Sequence, residues 1–130
     1  MTQAFAPPVQ EAPAARRVVI VDDRPERSAQ VRLALRGGPE AVDVAEVADT
    51  ATALELITAE SVVLIEIQIH GAAELIATLR ERYPTMVIVA CSFQADAATQ
   101  ALALGAGANS FLKKPVSSRE LHRAVHDPST

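Results

Sequence analysis

Short runs of hydrophobic residues alternate along the chain with segments whose hydrophobic residues recur at helical spacing. The first run, 18–21, is four consecutive β-branched residues, which is typical of a strand buried on both faces of a parallel sheet. In 72–82, by contrast, Leu75, Ile76 and Leu79 fall on one face of a helix. The same criteria predict strands at 18–21, 42–47, 62–67, 86–91 and 110–112, and helices at about 25–36, 50–57, 72–82, 97–104 and 118–125.

This regular alternation predicts the fold class. Strands that alternate with helices through short links form a parallel sheet with helical crossovers, so we expect an α/β fold with helices on both faces of the sheet. The leading segment 1–15 is rich in Ala and Pro and is predicted to be a flexible leader. We therefore place the folded domain at 16–127 and a tail at 128–130.

Composition narrows the class of protein further. The chain has 130 residues, 49% of them hydrophobic, and a formal charge of −4, which fits one globular domain. It has no apolar run long enough to span a bilayer, no signal-peptide pattern and no basic stripe, so we predict a cytoplasmic protein that binds neither membrane nor nucleic acid. The lone Cys91 excludes an internal disulfide and is interpreted as a small buried residue, with a redox role as the alternative.

Chemically active side chains stand where the predicted strands end. Asp22 and Asp23 follow the first strand, Glu66 lies near the end of the third, Ser92 ends the fourth and Lys114 follows the fifth. In a parallel sheet these ends share one edge, where ligands bind, so three carboxylates, a hydroxyl and an amine are expected to converge. Crowded carboxylates need a cation or a proton, and oxygen ligands without Cys favour Mg²⁺ or Mn²⁺ over zinc. A hydroxyl and a lysine opposite them suit a phosphoryl group.

Five sequence motifs occur in a recognisable order, namely VVIVDD, VVLIEIQIHG, VIVACS, ALGAGANSFLKKPV and RELHRAV. With them the sequence resembles the receiver domain of two-component response regulators over about 18–125. The resemblance implies a flavodoxin-like (CheY-like) five-stranded parallel sheet of order 2-1-3-4-5. It also implies a role in phosphorelay signal transduction as a protein-interaction module, not an enzyme, with a histidine kinase or an output protein as partner.

The resemblance also implies roles for individual residues. Asp22 and Asp23 fall on the family's acidic metal-binding pair, and Gln68 lies where a backbone carbonyl completes the metal shell. Ser92 falls on the switch hydroxyl and Phe111 on the switch aromatic. Lys114 falls on the lysine that pairs with the phosphoryl oxygens, and Pro115 on the proline after it.

Glu66 is the main departure from the family pattern, because it stands where the family has its phosphoacceptor Asp. Its extra methylene carries the carboxylate toward Lys114 and Ser92. We hypothesise that Glu66 mimics the phosphorylated state, that phosphorylation is poor or absent, and that Mg²⁺ binds weakly or not at all. The alternative interpretation is a purely structural carboxylate satisfied by Lys114.

Two further departures lie near the same edge. Phe93 replaces a small residue after Ser92, and its ring is expected to cover the mouth of the site. His70 replaces a usual Pro and is interpreted as a solvated loop residue, with metal binding as the alternative. His122 and His126, on the last helix or beyond it, are predicted to be solvated.

The fourth predicted helix lacks the charged outer face that surface helices normally carry. No charged residue occurs in 97–112, and Leu102 and Leu104 point in directions too different for both to face the sheet. An apolar outer face indicates a partner, so Ala98, Leu102 and Phe111 are candidate interface residues for a homodimer through the fourth helix and fifth strand. The alternative is an Ala-rich surface with no partner.

Three functions remain open at this point. The first is an atypical receiver with Glu66 in place of the phosphoacceptor. The second is a working, phosphorylation-dependent receiver with unusual site chemistry. The third is a small metal-dependent phosphatase or hydrolase that uses the same carboxylates.

Overall fold

A computed structural model of the protein describes residues 16–37 and 42–126. The predicted leader at 1–15 and tail at 128–130 lie outside these residues. Strands and helices alternate throughout, in the order β1 (Arg16–Val21), α1 (Pro25–Arg36), β2 (Val42–Val47), α2 (Thr50–Leu56), β3 (Val62–Glu66), α3 (Ala72–Arg82), β4 (Val87–Ser92), α4 (Ala97–Ala106), β5 (Ser110–Lys113) and α5 (Ser118–His126).

The five strands form one parallel sheet in the order β2-β1-β3-β4-β5. Both the α/β class and this strand order are therefore confirmed. The first strand begins two residues before its hydrophobic run, because the backbone of Arg16 pairs with Val42 although its side chain is exposed. The fourth strand likewise extends to Ser92, which is opposite Lys113 of the fifth.

Helices cover the sheet on both faces, so the core consists of two hydrophobic clusters, one on each face. Alternate residues of β1 point to opposite faces, so Val19 and Val21 belong to one cluster and Val18 and Ile20 to the other. Helices α2, α3 and α4 pack on the first face, and α1 and α5 pack on the second. In the described part of the chain, no helix is long and apolar enough to cross a membrane.

Two side chains of α5 form hydrogen bonds to the carboxyl-terminal end of α1. Ser118 Oγ donates a hydrogen bond to the carbonyl of Ala34, and His122 Nε2 bonds to the carbonyl of Leu35. These carbonyls lie in the last turn of α1, where the regular helical donor four residues further along the chain is missing. The prediction that His122 is solvated is wrong, because its ring is buried between the two helices and stacks on His126.

Arg80 binds the backbone at the amino-terminal ends of β4 and β5, the ends that lie away from the predicted site. Its guanidinium donates to the carbonyls of Gly107 (2.9 Å) and Met86 (2.8 Å) and to Asn109 Oδ1 (2.8 Å). Gly107 adopts a φ of +125°, and a Cβ there would lie 2.9 Å from Arg80 Cβ. The end of α4 therefore requires glycine both for its backbone conformation and for this close approach.

We expect Gly107→Ala to destabilise the domain by about 1–3 kcal/mol, because it combines backbone strain with the clash against Arg80. Gly105→Ala is the matched control, since Gly105 lies within α4 with open space around it and alanine favours helices by about 0.5–1 kcal/mol. Urea unfolding of the two variants checks this. Equal stability of the two variants would contradict it.

Candidate functional site

The structure brings four of the predicted site residues to one edge of the sheet. Asp22 follows β1, Glu66 ends β3 and Ser92 ends β4, while Lys114 follows β5 and begins a cis peptide bond to Pro115. The side chains of the first four are buried, although they are polar or charged. Burial of so many polar groups is costly unless each finds a partner.

The Lys114 ammonium lies between two carboxylates and is the centre of this site. Its Nζ is 2.8 Å from Asp22 Oδ2 and 3.0 Å from Glu66 Oε1, and all three side chains are about 2% exposed. Charge-assisted hydrogen bonds of this length are strong. The lysine thereby supplies the cation that the two acids require.

The remaining carboxylate oxygens are also paired. Asp22 Oδ1 accepts a hydrogen bond from the backbone N–H of Arg24 at 3.0 Å. Glu66 Oε2 accepts one from the backbone N–H of Gln68 at 2.9 Å. Each carboxylate thus has one oxygen held by Lys114 and one held by the loop that follows its own strand.

Burial disfavours the charge on Lys114, but the attraction of Cys91, Asp22 and Glu66 outweighs it and raises the lysine pKa. Burial also raises the pKa of the Cys91 thiol to about 12, so this thiol is neutral at physiological pH. The two carboxylates therefore provide the attraction under those conditions, and Lys114 stays charged. The high thiol pKa also fits the interpretation of Cys91 as a buried, unreactive residue.

Ser92 and Phe111, the predicted switch residues, lie in β4 and β5. Ser92 Oγ accepts a hydrogen bond from the backbone N–H of Gln94 at 3.1 Å, and its carbonyl accepts one from Lys114 N at 2.8 Å. Phe111 is partly buried and packs against the core cluster that α4 covers. Ser92 therefore links the strand that precedes α4 to the segment that carries Lys114.

The predicted convergence of three carboxylates is wrong in one respect, because Asp23 stays outside the cluster. Its side chain is 56% exposed and lies 3.9 Å from Arg24 Nε. Successive residues at the end of a strand point to opposite sides, so the inward direction of Asp22 turns Asp23 toward solvent. His70 is likewise exposed.

This arrangement does not fit a bound magnesium ion as it stands. The oxygen donors suit Mg²⁺ chemically. However, the described residues contain no group of three or more His, Cys, Asp or Glu side chains placed to hold a metal ion. Asp22 and Glu66 are already paired with Lys114, and Gln68, predicted to offer its carbonyl, offers its N–H to Glu66.

Arg27 is the residue at this site that the sequence reasoning missed. Its guanidinium carbon lies 5.1 Å from the centre of the Phe93 ring, and Lys114 Nζ lies 5.9 Å from the same centre. A cavity of about 440 Å³ lies here and is lined by Glu26, Arg27, Gln30, Phe93 and Lys114. One indirect signal was present in the sequence. Arg27 lies about half a turn after Pro25, the first residue of α1, and so at the end of the helix that follows Asp22 and Asp23.

Comparison with known proteins identifies the family. The family model described as the response regulator receiver domain matches residues 18–126. No curated protein sequence matched the chain.

Solved structures agree with this match. The signal receiver domain of NarL from Mycobacterium tuberculosis is 32% identical, with a TM-score of 0.79 over 90% of this chain and 98% of that one. A two-component response regulator of the LuxR family from Aurantimonas is 26% identical, with a TM-score of 0.70 over 85% and 81% of the chains. Chemotaxis response regulator CheY4 of Vibrio cholerae, at 18% identity and a TM-score of 0.72 over 88% and 99%, shares the fold.

The chain therefore belongs to the response regulator receiver domain family. Receiver domains are signalling modules of two-component systems that interact with histidine kinases and output domains, and they commonly bind Mg²⁺ at their phosphorylation site.

We expect Lys114→Met to lower the free energy of unfolding by about 3–5 kcal/mol, because it leaves two buried carboxylates without a cation. Millimolar Mg²⁺ should then raise the melting temperature of this variant more than that of the wild type.

Lys113→Met is the matched control, since Lys113 is exposed. Should Lys114→Met not fold, the double variant with Glu66→Gln removes one of the two charges and restores part of the stability. Equal melting temperatures for the two lysine variants would contradict the prediction.

Proposed function

We propose that this chain is an atypical receiver domain in which Glu66 takes the place of the phosphoacceptor and holds the site, at least in part, in the state that phosphorylation would otherwise induce. The observation that carries the proposal is the 3.0 Å contact between Glu66 Oε1 and Lys114 Nζ. A carboxylate at the end of a longer side chain then presents its negative charge to the lysine that would pair with a phosphoryl group.

The pairing of Glu66 also argues against efficient phosphorylation. In-line attack needs a carboxylate oxygen placed accurately against the phosphorus, and effective catalysis is lost when such groups are displaced by about 1 Å. Both Glu66 oxygens are engaged, one by Lys114 and one by the N–H of Gln68. Each oxygen keeps one lone pair, but these hydrogen bonds fix the carboxylate in its present orientation, and turning it for in-line attack would weaken them.

Magnesium has a reduced role in this proposal. Lys114 already pairs with both Asp22 and Glu66, so a divalent ion would have to compete with a buried ammonium for the same oxygens. We therefore propose that Mg²⁺ binds weakly or not at all, with Asp22, Asp23 and the carbonyl of Gln68 as its ligands when it does.

The route from the site to a partner runs through Ser92 and Phe111 in this proposal. Ser92 contacts the backbone of both Lys114 and Gln94, and Gln94 lies in the loop that leads into α4. Phe111 packs on the core cluster beneath that helix. A permanent charge at Glu66 would thus fix one arrangement of α4 and β5, the surface offered to a kinase, an output protein or a second copy.

A working, phosphorylation-dependent receiver is the second candidate, and membership of the receiver family favours it. Labelling with phosphoramidate separates the two. We expect the wild type to take up no label and Glu66→Asp to become labelled, because the shorter side chain restores the usual acceptor. Glu66→Gln is the control that should stay unlabelled. Uptake by the wild type equal to that of Glu66→Asp would overturn the proposed function.

The outer face of α4 is the surface we propose for a second copy of the chain. Ala98 and Leu102 are exposed on one side of the helix and Leu104 on the other, and the helix has no charged residue. Leu102→Glu is expected to leave a monomer in light scattering at concentrations where the wild type is a dimer. Leu33→Glu, at an exposed leucine of α1, is the matched control and should leave the dimer intact. A wild type that remains monomeric at high concentration would contradict this interface.

A further inference from the structure

A cavity and a stacked pair of side chains stand between the ion cluster and solvent. Lys114 belongs both to the cluster and to the lining of the 440 Å³ cavity, so the cavity borders the cluster at the lysine. Phe93 and Arg27 line the same cavity. A molecule that approaches the cluster through this cavity therefore meets these two side chains.

Two cations hold the Phe93 ring in place. The ring centre lies 5.1 Å from the Arg27 guanidinium carbon and 5.9 Å from Lys114 Nζ, distances at which a cation is attracted to an aromatic face. This attraction accounts for an aromatic residue that remains 49% exposed directly after a buried strand. The ring therefore spans the gap between α1 and the segment that follows β5.

A separate hydrogen bond fixes the opposite wall of the cavity. Gln30 Nε2 donates to the carbonyl of Val116 at 3.3 Å, which fastens α1 to the segment that follows Lys114. Gln30 lies about one turn after Arg27 on the same helix. Arg27 is thus held at a set distance from Lys114, and the width of the opening depends on the Phe93 ring.

From this geometry we propose that Phe93 and Arg27 form a cover that determines, by size, which phosphodonors reach the acceptor position, residue 66. The inference rests on the proposed function only in taking residue 66 as the acceptor position. Small donors reach it beside the ring, whereas donors with a bulky leaving group meet the ring. Phe93 and Arg27 are specificity-determining residues in this view.

The reaction step explains why the leaving group matters. A carboxylate oxygen of residue 66 forms a bond to phosphorus while the P–N bond of the donor breaks. The electron pair of that bond stays on the departing nitrogen. Phosphoramidate, protonated on that nitrogen, releases ammonia, and N-phosphoimidazole, protonated on its other ring nitrogen, releases neutral imidazole. The leaving group must lie in line, on the side away from residue 66, which is the side from which the donor enters. An imidazole there competes with the Phe93 ring for space, and ammonia does not.

The test compares the two donors in the Glu66→Asp background. We expect Phe93→Ala to raise the rate of labelling by N-phosphoimidazole by about tenfold or more, with a much smaller change for phosphoramidate. Arg27→Ala should act in the same direction with a smaller effect, because it removes one of the two cations that hold the ring. Leu33→Ala, on the exposed side of α1, is the control and should change neither rate.

A second measurement does not depend on phosphorylation. In a Cys91→Ala background, Glu66→Cys places a thiol at the site, and Phe93→Ala should speed its reaction with dithiobis(nitrobenzoate) far more than with the smaller methyl methanethiosulfonate. If Phe93→Ala raised the rates with the large and the small reagent equally, or changed neither rate, the proposed cover would be wrong. Labelling of the wild type would overturn the proposed function instead, and a Glu66→Asp variant that resists both donors leaves the decision to the thiol rates.

Discussion

The ammonium of Lys114, buried between Asp22 and Glu66, is the interaction on which the rest of the site depends. It joins the ends of β1, β3 and β5, although β4 separates β5 from β3 in the sheet. A buried ion pair adds little net stability over an apolar replacement, yet loss of one partner is costly. Loss of Lys114 alone therefore leaves both acids without their cation, and Ser92, Gln68 and Arg24 are positioned by their contacts with the cluster.

Much of this architecture could be predicted from the sequence, because buried parallel strands are continuous apolar runs and their carboxyl ends share one edge. That rule placed Asp22, Glu66 and Lys114 together. It could not tell that Asp23 points outward, since alternation along the strand separates Asp22 from Asp23 but does not show which of the two points inward. The burial of His122 and the contact of Arg27 with Phe93 were also beyond it, because both arise where a helix meets a segment distant in sequence.

A site whose two buried carboxylates are already paired with a cation of the chain itself has consequences for signalling. In the proposed function, Glu66 gives the site one lasting electrostatic state, with no covalent group to add or remove. The signal would then depend on the amount of the protein and on which partner binds α4. It would not depend on the level of phosphorylation. The Phe93 ring reinforces this by limiting which donors approach.

The long sequence separation of the polar contacts bears on how the chain is made. Lys114 is 92 residues from Asp22, and His122 is 87 residues from the Leu35 carbonyl that it caps. While the chain emerges from the ribosome, Asp22 and Glu66 therefore exist before their cation does. Two unneutralised carboxylates oppose closure of the nascent sheet, so the final core forms only after β5 and α5 have left the exit tunnel.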